Sequence, residues 1–239
     1  MTTAPTSPGE LNNGLKPHET YTHQHHWRSA DDEADAAKLG MWLFLSTEIL
    51  LFAGFFCAYA VFRALYPGTW VAASHHYLDW RIGAVNTIVL LISSFTIVMA
   101  IRGAQLNKQG MILINLLITN LCAIFFLVVK LWLEYLPKIK KGELPGANFD
   151  YGGHAYATAE HAAYTPTEHD HIFLSIYWIA TATHGFHVLV GIIVITYAMI
   201  RTIKGHFGPK HYTFLENTGL YWHIVDVIWI FLFPLMYLV

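Results

Sequence analysis

Residues 38–56 read KLGMWLFLSTEILLFAGFF, an apolar run interrupted by one acid, Glu48. The run continues to about residue 64, and a bilayer core about 30 Å thick is crossed by roughly 20 apolar residues of helix. A buried helix of a water-soluble domain rarely carries so long an uninterrupted stretch, so the segment reads as a membrane span. Glu48 then lies roughly 14 Å along the axis from Leu39, at about 1.5 Å per residue, near mid-membrane. An ionisable group at that depth costs roughly 2.5–3.5 kcal/mol on insertion scales and normally faces the bundle interior with a partner.

Four further stretches, at about 82–101, 111–136, 172–200 and 218–239, meet or approach the same length criterion. Together they account for most of the chain after Leu39. The composition agrees, with 55% hydrophobic and 13% charged residues and a mean hydropathy of +0.41. A net charge of −2 offers no basic field for nucleic acid. Cys57 and Cys122 each sit within an apolar run, which supports neither a disulfide scaffold nor a thiolate metal site. The expected fold is therefore all-α, an integral membrane bundle of five transmembrane helices (39–64, 82–101, 111–136, 172–200, 218–239). A polar tail over 1–38 precedes it, with no cleavable apolar core of the signal-peptide kind. A long loop over 137–171 divides the third span from the fourth.

Lys and Arg set the orientation. Lys16, Arg28, Lys38, Arg102, Lys108, Arg201, Lys204 and Lys210 fall on the side of the N-terminal tail, against Arg63, Arg81, Lys138, Lys140 and Lys141 opposite. The bias puts the N-terminus in the cytoplasm and the C-terminus in the periplasm, although the cluster at 138–141 opposes it. Lys130 lies within a span, four residues before Glu134; it either pairs with that acid or snorkels outward. The tail carries His18, His23, His25 and His26. The long loop carries His154, His161, His169 and His171 beside Glu160, Glu168 and Asp170, at spacings that fit no compact metal motif. Tyr66, Trp70, Tyr77, Trp80, Tyr135 and Tyr212 near span ends read as interfacial belts.

Several titratable groups share the spans with Glu48. His184 and His187 are three apart in the fourth, and His223 and Asp226 are three apart in the fifth, so each pair shares a helix face. Three uses remain open on spacing alone: a haem or metal site, a proton path through titratable groups and water, or interhelical hydrogen bonds, the commonest use of such residues. Asn115, Thr119 and Cys122 on one span, and Asn86 and Ser93 on another, supply polar seams for helix packing.

Longer strings add a resemblance. The run at 38–56, NTIVLLISS from Asn86, FLVVKLWLEY ending at Tyr135, ATATHGFHVLVG from Ala180 and ENTGLYWHIVDVIWIFLF from Glu216 together resemble the haem–copper oxidase subunit III family. The resemblance covers 38–136 and 171–239, and its most specific motifs are His-Gly-x-His and Tyr-Trp-His-x-Val-Asp. It implies a non-redox accessory subunit of a proton-pumping terminal oxidase that reduces oxygen to water. Such a subunit packs beside catalytic subunit I and subunit II in a bacterial cytoplasmic membrane. It also implies that haem and copper belong to the partner subunits, that this chain holds no metal or redox cofactor, and that phospholipids are bound. Glu48 matches the family's buried acid, and His184, His187, His223 and Asp226 match its interior polar set in support of proton uptake. RTIKGHF at 201–207 resembles a segment that meets lipid phosphates, which nominates Arg201, Lys204 and His206; ordinary positive-inside residues are the alternative.

The chain departs from the family pattern in places. The longest members have seven spans, and the first two have no counterpart here. Ala182 and Thr183 stand where Gly and Phe are usual, and Ile101 and Arg102 replace a histidine pair. The 137–171 loop is longer than usual, which suggests contact with a periplasmic partner such as a cytochrome c domain. A partner of a quinol oxidase or nitric oxide reductase is the second reading, and an unrelated five-span transporter the third.

Overall fold

Ser29 starts the first helix by accepting a hydrogen bond from Asp32 N at 3.1 Å, with Asp31, Asp32 and Glu33 placed favourably in the first turn. The helix, α1 (Ala30–Leu65), therefore begins nine residues before the apolar run, inside the expected polar tail. It is about 54 Å long, so its first turns project beyond the hydrocarbon. Lys38 is tied there to Glu216 at 3.0 Å. The computed structural model describes residues 17–18, 25, 27–145 and 169–239. His23, His26, His154, His161, Glu160 and Glu168 lie outside the described residues, as does most of the loop segment expected to meet a cytochrome c domain.

A short helix, α2 (Pro67–Tyr77), follows with proline in its first turn. It overturns the interfacial reading of two aromatics. Trp70 and Tyr77 are buried, because α2 folds back and turns them toward Phe173 and Asp170, whereas Trp80 remains exposed. α3 (Trp80–Gln105) and α4 (Gln109–Val129) form a close antiparallel pair. Asn107 makes the turn between them at φ 56°, a left-handed conformation that asparagine tolerates, while Lys108 N bonds back to Gly103 O. The third span then widens into a π-helical turn over Lys130–Tyr135 before α5 (Leu136–Lys140). α6 (Asp170–Ile203) ends at Gly205, whose φ of 72° lets His206 N reach back to Arg201 O, and α7 (Thr213–Tyr237) returns.

Five of these helical stretches are long and apolar enough to cross a membrane. α3, α4, α6 and α7 enclose the core around Phe126, Trp222 and Trp229, and α1 lies along α6 and α7 at one edge. Outward, Trp42, Leu50, Phe95, Leu121, Trp132 and Phe186 are exposed on every side; Leu50 is 72% exposed. In water such a surface would aggregate, so hydrocarbon is its solvent. Polar seams hold the inside: Thr96 and Thr119 share a hydrogen bond at 2.7 Å, and Trp222 Nε1 donates to Ser93 Oγ at 2.9 Å.

Candidate functional site

α1 touches its neighbours along a narrow stripe, Leu45, Phe52 and Tyr59, spaced seven apart. Glu48 sits within that stripe, one turn from both Leu45 and Phe52, so the register that packs α1 also turns the acid inward. There Glu48 Oε2 meets His187 Nε2 of α6 at 2.7 Å. His187 Nδ1 lies 2.7 Å from Thr183 O, an atom that can only accept, so Nδ1 carries a hydrogen. Nε2 and Glu48 consequently share one further proton. The pair is neutral whether that proton sits on the imidazole or on the carboxyl, and losing it leaves a net negative charge in the membrane. Tyr221 OH donates to His187 O at 2.9 Å, and the Phe52 ring edge packs on the imidazole. Three helices therefore position one proton-holding pair.

The other nominated residues separate. His223 Nδ1 is bonded to Ser94 Oγ at 2.8 Å, an α3–α7 tie of the interhelical kind. His184, three residues from His187, turns away into the core between Phe126 and Trp229, with neither ring nitrogen bonded. Asp226 is buried in α7 beside Ser94 of α3, the residue that also bonds His223. Among the described residues, no three His, Cys, Asp or Glu side chains converge in metal-ligating fashion.

A second cluster was legible only as two residues four apart. Lys130 and Glu134, both 3% exposed, are an ion pair at the π-helical turn, so Lys130 does not snorkel. Tyr177 OH donates to Glu134 Oε2 at 2.6 Å and accepts from Lys130 Nζ at 3.1 Å; Tyr237 OH makes the corresponding bonds from α7. The ammonium also lies 4.9 Å from the Tyr177 and Trp229 ring centres. Snorkelling would leave Glu134 without its cation, whereas here every polar atom of the pair is served inside the bundle. Tyr177 and Tyr237 carried no signal in the sequence.

At the opposite end, Arg201 and His206 line one cavity of about 220 Å³ with Glu33, His211 and Asn217. Arg201 stacks over Phe207 and Phe214 at 5.3 and 5.2 Å. Lys204 faces a different depression, beside Gln109 and Leu113. His18 closes over this end, its Nδ1 2.9 Å from Gly205 O. Burial holds the His211 imidazole below its ordinary value of 6.5, and the Lys210 backbone hydrogen bond opposes that. A depressed histidine lets the unfolded turn bind more protons in the window just below 6.5, so stability is complete above 6.5 and falls as pH drops through that window. Protease sensitivity of the 204–212 turn should therefore rise on acidification from pH 7 to pH 5.5, and His211→Gln should flatten the response.

The fold and these interior contacts define a class: a polytopic helical membrane protein that encloses a hydrogen-bonded acid–imidazole pair. A family model described as cytochrome c oxidase subunit III matches residues 18–139 and 151–239. A cytochrome c oxidase subunit 3 of Prototheca wickerhamii is 34% identical over 208 residues, covering 84% of this chain and 68% of the relative. The Homo sapiens cytochrome c oxidase subunit 3 is 30% identical over 206 residues, with the same coverages. A heme-copper oxidase subunit I+III of Aeropyrum pernix is 28% identical over 221 residues, 90% of this chain but 24% of that longer protein. The chain thus spans about two thirds of the subunit 3 relatives and about a quarter of the I+III relative. The chain belongs to the cytochrome c oxidase subunit III family, as a multi-pass accessory subunit of the terminal-oxidase kind.

Proposed function

We propose that this chain is the subunit III of a proton-pumping oxidase that reduces oxygen to water, seated beside subunits I and II in a bacterial cytoplasmic membrane with its N-terminus inside. The observation that carries this reading is the Glu48–His187 pair, held at an α1–α6 contact inside a chain of this family. A relative named subunit I+III supports a place beside subunit I, because one polypeptide there bears both names. The redox chemistry, with its haem and copper, resides in the partners. This chain supplies an acid–imidazole pair that can hold a proton inside the bundle, and that is what a subunit sustaining proton uptake needs.

Glu48→Gln tests the role. Glutamine can still hydrogen-bond His187 but cannot release a proton at neutral pH, so assembly and haem content should be unchanged while turnover, or its durability, falls. Normal proton uptake and lifetime in that variant would reduce Glu48 to a structural contact. Co-purification distinguishes the oxidase types: a cytochrome c docking subunit supports the present reading, and a quinol site or a nitric oxide reductase partner replaces it.

Phospholipid is the ligand proposed for the Arg201 and His206 cavity. The Arg201 guanidinium sits at a helix end, and the cavity adjoins an apolar groove lined by Met41, Phe44, Val190 and Val194 that suits an acyl chain. One cation near an anionic surface contributes about 1 kcal/mol, so Arg201→Ala should weaken retention of anionic lipid about fivefold. Phosphorus analysis of the purified complex reads this directly. Lys204→Ala, outside the cavity, should have the smaller effect.

A further inference from the structure

α7 is tied to α3 on one side and to α1 on another. Toward α3, Trp222, His223 and Trp229 bond Ser93, Ser94 and Thr87. Toward α1, Phe231 packs on Phe56, and Leu235 O accepts from Tyr59 OH. Among the described residues α1 and α3 do not touch each other, so the side of α7 between them is open. Val227, Ile230 and Phe231 are exposed there. On α3, Leu91 and Val98, three and four residues to either side of Ser94, are exposed along the same border. Positions 223, 227 and 230 follow at four- and three-residue spacing, so one stripe of α7 carries His223 together with this apolar surface.

His187 has both ring nitrogens engaged within the chain, but His223 does not. His223 is half-buried; Nδ1 is held by Ser94, while Nε2 has no partner in the bundle and is not enclosed by it, so it opens on the free side of α7. The residue stands ten positions from the start of α7 and fourteen from its end, roughly 15 and 21 Å along the axis. A polar atom on the outer surface at that depth meets neither water nor lipid headgroups, and an acyl chain has no donor or acceptor to give it. Nε2 carries either a hydrogen or a lone pair, and a hydroxyl or carboxamide side chain serves both forms because it donates and accepts. Another transmembrane helix is what delivers such a side chain to mid-membrane.

On the reading that this chain sits beside catalytic partners, we propose that the open side of α7 is the seat of a transmembrane helix from a partner subunit, with a hydroxyl or carboxamide side chain of that helix bonded to His223 Nε2. Val227, Ile230 and Phe231 supply the packing surface, and the imidazole fixes the depth, since a slip of one helical turn, about 5.4 Å, would part the bond. Ser94 acts as the positioning residue, holding the ring so that Nε2 faces outward. The seat is separate from the Glu48–His187 pair at the α1–α6 contact and from the Arg201 cavity.

Photo-cross-linking in native membranes tests this, with p-benzoylphenylalanine in place of Val227 and the adduct identified by peptide mass spectrometry after the intact complex is purified. The expected product joins position 227 to a transmembrane peptide of another subunit. Lipid adducts alone, or an adduct with a second copy of this chain, would overturn the proposal. A pigmented oxidase that purifies without any adduct at 227 overturns the seat and leaves the oxidase reading intact; a captured helix from a different kind of assembly does the reverse. His223→Leu should raise the dissociation constant of this chain from the complex in detergent about fivefold, the share of one net hydrogen bond, and His223→Gln should restore it. Val227→Trp adds bulk only outside the bundle, so it should lower retention in the complex while the unfolding midpoint stays unchanged. Full retention in Val227→Trp refutes the assignment, even where His223→Leu fails to fold.

Discussion

Glu134→Ala is expected to destabilise the protein by about 3–5 kcal/mol, the cost of stranding one member of a buried ion pair. The buried Lys130 amine would be left among Tyr177, Trp229 and Tyr237 without its anion, and both tyrosine hydroxyls would lose the acceptor they share. Against a folding margin of roughly 5–15 kcal/mol, that loss should appear as a sharply reduced yield and a lower unfolding midpoint in detergent. The double variant Lys130→Met with Glu134→Leu removes both charges at similar volume and should recover most of the stability. Wild-type yield and midpoint in Glu134→Ala alone would mean that the ammonium is served elsewhere, and the cluster would lose its structural role.

Gly191→Leu is expected to be nearly as damaging, by wedging α6 from α7. Even a single Cβ at Gly191 would lie 2.5 and 2.8 Å from ring carbons of Trp222. That indole is buried and held by its bond to Ser93, so it cannot yield without breaking the α3–α7 tie. Overpacking of this kind costs about 1–3 kcal/mol for modest additions, and leucine adds more than a methyl group. Gly185→Ala is the matched control on the same helix, because its Cβ would meet Leu127 at an ordinary 3.9 Å. Equal unfolding midpoints for the two variants would contradict the close α6–α7 approach.

Much of the architecture was readable from hydropathy because hydrocarbon imposes so simple a condition: each crossing helix must satisfy its own backbone and present apolar side chains for about 30 Å. The helix ends were less legible. α1 reaches back to Ala30 on the strength of a serine cap and three early acids, which hydropathy does not register. The aromatic belt failed at Trp70 and Tyr77 because position near a span end cannot reveal a short helix that folds inward.

The site divided along the same line. Glu48, His187 and the inward turn of the polar residues followed from the sequence alone, since a charge at mid-membrane has nowhere favourable to point except the bundle interior. Which groups pair was settled by tertiary structure. His184 and His187 are three apart, yet one bonds Glu48 and the other faces Trp229; Lys130 finds its partners on α6 and α7, 47 and 107 residues away along the chain. Local sequence carries the cost of burying each polar group, a property of that residue and its solvent. The relief of that cost depends on crossing register between helices, which no single segment encodes.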